Sequence, residues 1–129
     1  LQLAALEASL DIWDTVDLAA LRHASLALSD QFIKGVEAAC PSLSLATPRD
    51  HCQRGSQVSF RHPQGYAIMQ AMIARGVIGD FRAPDIIRCG FTPLFIDASD
   101  VAKAVDILAD IMQNSLWDRP EYKTRAKVT

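Results

Sequence analysis

The sequence predicts one α+β domain: a small, mainly antiparallel sheet with helices packed on one face, preceded by a long helix. Apolar residues recur at helical spacing over the first forty residues and again before Gln113. Between these regions lie short extended runs punctuated by proline and glycine. A chain of 129 residues, half of them hydrophobic, is long enough for one compact core.

The first forty residues are predicted to be helical. Leu3, Leu6 and Leu10 share one face of a helix, and a longer amphipathic helix lies between Asp17 and Cys40. The helical pattern is already under way at the first residue, so we expect the chain to be the C-terminal piece of a longer protein. The long helix would measure about 34 Å at 1.5 Å per residue, which exceeds what a domain of this size needs for its own core, so we expect one end to lie against another domain or subunit.

The remaining elements follow from turn residues and periodicity. In order they are a short strand at 43–46, a strand at 55–60, a helix from 63 to 76, extended runs at 77–81 and 86–91 joined by a turn at 82–85, and a helix capped by Asp97 or Ser99. We divide the chain into a helical segment at 1–40, an α+β domain at 41–117 and a polar, frayed tail at 118–129.

Composition excludes several classes of function. The net charge is −2 and the basic residues are scattered, which disfavours nucleic-acid binding. No apolar run reaches the roughly 20 residues that span a bilayer, and a signal-peptide pattern is lacking, so we expect no membrane association and a cytoplasmic location. Cys40, Cys52 and Cys89 are odd in number and irregularly spaced, as expected for reduced thiols.

The common catalytic motifs do not occur. There is no G-x-S-x-G turn for a serine hydrolase and no glycine-rich phosphate loop. His23, His51 and His62 are expected at the surface, each solvated or hydrogen-bonded. His51, Cys52 and His62 lack recognisable zinc spacing, so no metal site is predicted.

Arg88 is the residue that most suggests a binding site. It interrupts the apolar run at 86–91, where alternation places it on one side of the strand with Ile86 and Gly90. Its guanidinium either faces solvent or reaches into a cleft, where it would suit a carboxylate. Arg82 is a second candidate, although an ion pair with Asp80 or Asp85 is the favoured explanation for it.

A family resemblance joins these residues. Residues 54–95, RGSQVSFRHPQGYAIMQAMIARGVIGDFRAPDIIRCGFTPLF, resemble the C-terminal segment of kynureninases, which carries R-G-x-Q, then G-V-x-x-D-x-R-x-P, then R-x-x-x-x-P-L-Y/F. The likeness extends back through LAALEASLDIW and forward to WDRPEY, and so covers nearly the whole chain. Cys89 and Phe95 depart from residues that are frequent in the family.

The resemblance implies a pyridoxal 5'-phosphate enzyme of the aspartate aminotransferase fold type. Such enzymes are homodimers that hydrolyse L-kynurenine, or 3-hydroxykynurenine, to L-alanine and anthranilate, or 3-hydroxyanthranilate, in tryptophan catabolism. Arg88 then aligns with the arginine that holds the substrate α-carboxylate. This chain would be the small domain, bound to the large domain of the same protein.

The resemblance also implies that the catalytic lysine lies upstream of Leu1. Lys34, Lys103, Lys123 and Lys127 do not match it. No catalytic, cofactor-binding or metal-binding residue is therefore expected here, and the chain alone should be inactive.

Two alternatives stay open at this point. One is the small domain of another enzyme of the same fold type, an aminotransferase or a cysteine desulfurase. The other is a non-catalytic α+β module that binds an amino acid through Arg88.

Overall fold

In a computed structural model that describes residues 2–124, the chain forms five α-helices and one four-stranded antiparallel sheet. The elements are α1 (Gln2–Trp13), α2 (Leu18–Ala39), β1 (Ser44–Leu45), a single 3-10 turn (His51–Gln53), β2 (Gln57–Arg61), α3 (Gly65–Ala74), β3 (Asp80–Arg82), β4 (Ile86–Gly90), α4 (Ala98–Gln113) and α5 (Pro120–Lys123). The predicted α+β class is confirmed, including the helical pair at the start.

The sheet has the order β1-β2-β4-β3, and every pair of neighbouring strands is antiparallel. Strands β3 and β4 form a hairpin whose turn contains a cis peptide bond between Ala83 and Pro84. Strand β4 is paired on both sides, with Arg88 opposite Ser59 of β2 and opposite Asp80 of β3. The residue at the centre of the sheet is therefore Arg88.

The hydrophobic core lies between α2, α3 and α4 and one face of the sheet. Phe60 and Ile87, which are cross-strand partners, are both 2% exposed. The ring of Phe32 on α2 packs at 6.1 Å from that of Phe60 and at 5.4 Å from that of Phe91, measured between centroids. Because side chains alternate along a strand, the neighbours of Phe60 and Ile87 face away from the helices.

The ends of the helices agree with the sequence signals. Asp97 caps α4 by accepting hydrogen bonds from the backbone N–H groups of Ser99 and Asp100, so of the two predicted caps it is Asp97 that acts. Gly76 follows α3 with a φ of +87°, the left-handed conformation that commonly ends a helix.

The extended run predicted at 77–81 is wrong at its start, because strand β3 begins only at Asp80 and continues through Arg82. The N–H of Val77 donates to the carbonyl of Met72 at 3.0 Å, so this segment completes the end of α3. At Gly79 a Cβ would lie 2.6 Å from the carbonyl oxygen of Arg88, so only glycine allows this approach to β4. Because β3 extends through Arg82, this residue belongs to the strand and not to the predicted turn at 82–85.

The tail predicted from residue 118 contains one helical turn, α5, with Pro120 in its first turn. Lys123 forms an ion pair with Asp118 and lies 5.8 Å from the centroid of the Trp117 ring. Residues 125–129 of the predicted tail lie outside the described residues.

Helix α1 carries apolar side chains that the rest of the described chain leaves exposed. Leu3 is 81% exposed, Leu6 and Leu10 are each 54% exposed, and Trp13 is 44% exposed. We call these four residues the α1 stripe. An apolar stripe of this kind is typical of a helix that packs against a further surface.

We expect Phe60→Ala to lower the free energy of unfolding of this chain by about 3–5 kcal/mol, because it opens a cavity in the core beside Phe32. Phe95→Ala is the matched control, since Phe95 is 78% exposed, and it should change the free energy of unfolding by less than about 0.5 kcal/mol. Urea denaturation followed by circular dichroism measures both. Equal losses for the two variants would contradict the assigned core.

Candidate functional site

The face of the sheet opposite the helices carries a concentration of charge. It is formed by alternate residues of three strands, and we call it the open face: Ser59, Arg61, Asp80, Arg82, Ile86 and Arg88. Strand pairing arranges these residues in two rows. Asp80, Arg88 and Ser59 form one row, and the other contains the remaining three.

Arg88 is the most enclosed of the arginines on the open face, with 26% of its side chain exposed. Its Nη2 atom donates to a carboxylate oxygen of Asp80, the residue directly across the hairpin. Its Nε atom is buried and has no hydrogen-bond partner in the structure. A guanidinium has five N–H donors, of which the contact with Asp80 uses one.

Arg82 shares the carboxylate of Asp80. Its Nη2 lies 3.6 Å from the same Oδ2 atom that Arg88 contacts. The predicted ion pair between Arg82 and Asp80 is thus confirmed, whereas the pair between Arg88 and Asp80 was missed. Two guanidinium charges facing one carboxylate leave this group with a net charge of +1, which suits an anionic ligand.

Arg61, on the same face, forms an ordinary exposed ion pair. Its Nη1 lies 3.2 Å from Asp85 Oδ1, and the side chain is 56% exposed. This arginine has its own carboxylate, so the excess positive charge of the open face lies at Arg82 and Arg88.

Arg54, which is buried, holds the loop before β2 onto α2. Its Nη2 donates to Ser29 Oγ at 3.2 Å and to the carboxylate of Asp30, which also contacts His51 Nε2 at 2.9 Å. Burial raises the pKa of Asp30, but hydrogen bonds from Arg54 and His51 outweigh it and lower the pKa overall. This cluster fixes the entry to β2 and is structural.

The remaining histidine in a defined contact is His62. Its Nδ1 accepts a hydrogen bond from the N–H of Gln64 at 3.0 Å, and its ring meets Trp117 edge-on at 6.0 Å. Burial lowers the pKa of His62. Within residues 2–124, no group of three or more His, Cys, Asp or Glu side chains is placed to hold a metal ion.

The lysines of the described residues do not fit a pyridoxal phosphate site. Lys34 is exposed on α2, Lys103 is 71% exposed and lies 3.8 Å from Asp100, and Lys123 pairs with Asp118. None of the three belongs to the open face that carries Arg88. Lys127 lies outside the described residues.

None of the helices in residues 2–124 combines the length and the apolar character that a membrane crossing requires.

Comparison with known proteins identifies the family. Residues 21–108 match the family "Kynureninase C-terminal domain". The chain belongs to this family. It is 54% identical over 125 residues to a kynureninase of Burkholderia mallei (strain ATCC 23344), which is 95% of this chain and 30% of that protein. It is 50% identical over 129 residues to a kynureninase of Pseudomonas fluorescens, which is 98% of this chain and 31% of that protein.

Membership of this family confirms the resemblance seen in the sequence and disfavours the first alternative, the small domain of an aminotransferase or a cysteine desulfurase. The chain spans about 30% of the length of the curated kynureninases that it matches.

The three cysteines differ in burial, and we therefore expect them to differ in reactivity. Burial raises the pKa of the Cys89 thiol to about 12 and also raises the pKa of Cys40. Cys89 is only partly buried as a residue, but its side chain lies on the helix-facing side of β4, against the core. Cys52 is exposed.

We therefore expect iodoacetamide at pH 8 to label Cys52 first. With a pKa near 12, only about one Cys89 thiol in ten thousand is ionised at that pH, and the thiolate is the reactive form. As long as the pH stays below the pKa of Cys89, its labelling rate should rise about tenfold for each unit by which the pH is increased. Mass spectrometry of peptides after timed labelling measures this, and Cys52→Ser is the control. Labelling of Cys89 as fast as Cys52 would contradict the placement of Cys89.

Proposed function

We propose that this chain is the domain of a kynureninase that binds the substrate α-carboxylate, in an enzyme that hydrolyses L-kynurenine or 3-hydroxykynurenine to an anthranilate and L-alanine. One observation carries the assignment of the site: Arg88 stands on the open face with unused N–H donors, within a group of net charge +1. The family membership supports the reaction.

The position of Arg88 suits the recognition of a carboxylate. The guanidinium is planar, and its N–H groups match the two oxygens of a carboxylate in a fixed orientation. Strand β4 is hydrogen-bonded on both sides, so the backbone that carries Arg88 is held firmly. A substrate bound through two parallel hydrogen bonds loses its freedom to rotate, and this prepares it for reaction.

The rest of the site is proposed to lie outside this chain. Pyridoxal 5'-phosphate would be bound there through a lysine, and when bound it supplies a ring that accepts electrons from the substrate. The part played by this chain is to hold and orient the carboxylate.

Two surfaces of this domain support the proposal that the rest of the site lies outside this chain. The α1 stripe and the open face are both uncovered by the described residues, and the first is apolar whereas the second is charged. We propose that the α1 stripe packs on the large domain of the same protein and that the complete enzyme is a homodimer in the cytoplasm.

In the full-length enzyme, we expect Arg88→Lys to reduce kcat/KM for L-kynurenine by about 100-fold, although it keeps the charge. A lysine ammonium is a point charge and cannot supply the parallel donors that orient a carboxylate. Fluorescence of released anthranilate measures the rate. Arg61→Lys is the matched control on the same face and should stay within about twofold of wild type.

Near-wild-type kinetics for Arg88→Lys would remove Arg88 from the site. Absence of anthranilate release by the wild-type enzyme would overturn the proposed reaction itself. This chain assayed alone with L-kynurenine and pyridoxal phosphate should release no anthranilate, because its described lysines do not adjoin Arg88.

A further inference from the structure

We propose that Asp80 is a resident counter-ion of Arg88, and that it transfers to Arg82 when a substrate carboxylate binds to Arg88. This inference rests on the proposed function. It assigns a role in substrate affinity to two residues, Asp80 and Arg82, which then act as positioning residues around Arg88.

The contacts place Asp80 between the two arginines. A single oxygen, Oδ2, is bound by Arg88 Nη2 and lies 3.6 Å from Arg82 Nη2. A charge-assisted hydrogen bond between these groups has a length of about 2.7–2.9 Å. A movement of about 1 Å is thus sufficient to complete the pair with Arg82.

The backbone confines this exchange to side chains. Asp80 is the direct cross-strand partner of Arg88, and Gly79 approaches the Arg88 carbonyl so closely that a Cβ there would lie at 2.6 Å. Strand β3 therefore cannot carry Asp80 away from Arg88 without breaking the sheet. The side chain of Arg82, which is 65% exposed, is free to move toward Asp80.

The charges balance in both states. Without substrate, two arginines face one carboxylate, and the sum is +1. With substrate bound, Arg88 pairs with the incoming carboxylate while Arg82 pairs with Asp80, and the sum is zero. Without Arg82, the displaced Asp80 would stand unpaired beside the substrate carboxylate, and like charges at that distance repel.

The ion pair that Arg61 forms takes no part in this exchange. Arg61 is bound to Asp85 at 3.2 Å. Ser59, the third residue in the row, accepts a hydrogen bond from Gln57 Nε2 at 3.3 Å and is neutral. Asp80 and Arg82 are therefore the charged side chains of this face that respond to a ligand on Arg88.

A double-mutant cycle in the full-length protein tests the exchange. Asp80→Asn removes the competing charge, so KM for L-kynurenine should fall several-fold while kcat changes by less than about twofold. Arg82→Ala should raise KM about five- to tenfold in the wild-type background, but by less than about twofold in the Asp80→Asn background, because no displaced carboxylate then needs a partner.

The dissociation constant of L-alanine, which carries the same α-carboxylate, should follow the same pattern in calorimetry and needs no turnover. Arg82→Lys should restore most of the affinity, and Arg61→Ala is the control for a general loss of positive charge. If Asp80→Asn does not yield folded protein, Asp80→Ser replaces it in the cycle.

The outcomes separate the two proposals. Wild-type protein that binds L-alanine but releases no anthranilate overturns the proposed reaction, and the alanine cycle still decides the exchange. Equal effects of Arg82→Ala in both backgrounds, or weaker binding in Asp80→Asn, overturn the exchange. Failure of wild-type protein to bind L-alanine at any concentration overturns both.

Discussion

Strand β4 pairs with a neighbour on each side, and this double pairing determines both the core and the open face. Because β4 lies between β2 and β3, each of its residues must point either toward the helices or toward the open face. Ile87 takes the first direction and completes the core, and Arg88 takes the second. A shift of one residue in register would bury the guanidinium and expose the isoleucine. The stability of the core therefore fixes the direction of the arginine.

This constraint links packing to electrostatics. The hairpin that places Phe81 opposite Ile87 also places Asp80 opposite Arg88, since both pairs belong to the same register. The charges of the open face are consequently set by the geometry that forms the core. Arg82, two residues after Asp80 on the same side of β3, brings the second positive charge within reach of the same carboxylate.

Much of this arrangement is readable from the sequence, and the parts that are not have physical reasons. Periodicity gave the helices and the side of the strand on which Arg88 lies, because both depend on local repeats. The start of β3 was predicted too early, because a glycine that permits a close tertiary approach looks the same in sequence as one that ends a strand. A hairpin turn centred on Pro84 predicts the pairing of Arg88 with Asp80. The turn was instead placed at 82–85, so this pairing was missed. The buried cluster around Arg54 joins α2 to a distant loop, which no local pattern reveals.

The proposed function depends on the binding of the substrate α-carboxylate by Arg88. A crystal structure of the full-length enzyme with a bound amino-acid substrate or product would reveal this contact. We predict two hydrogen bonds of about 2.7–2.9 Å from the Arg88 guanidinium to that carboxylate. A carboxylate held by other residues, with Arg88 still paired to Asp80 alone, would contradict the claim.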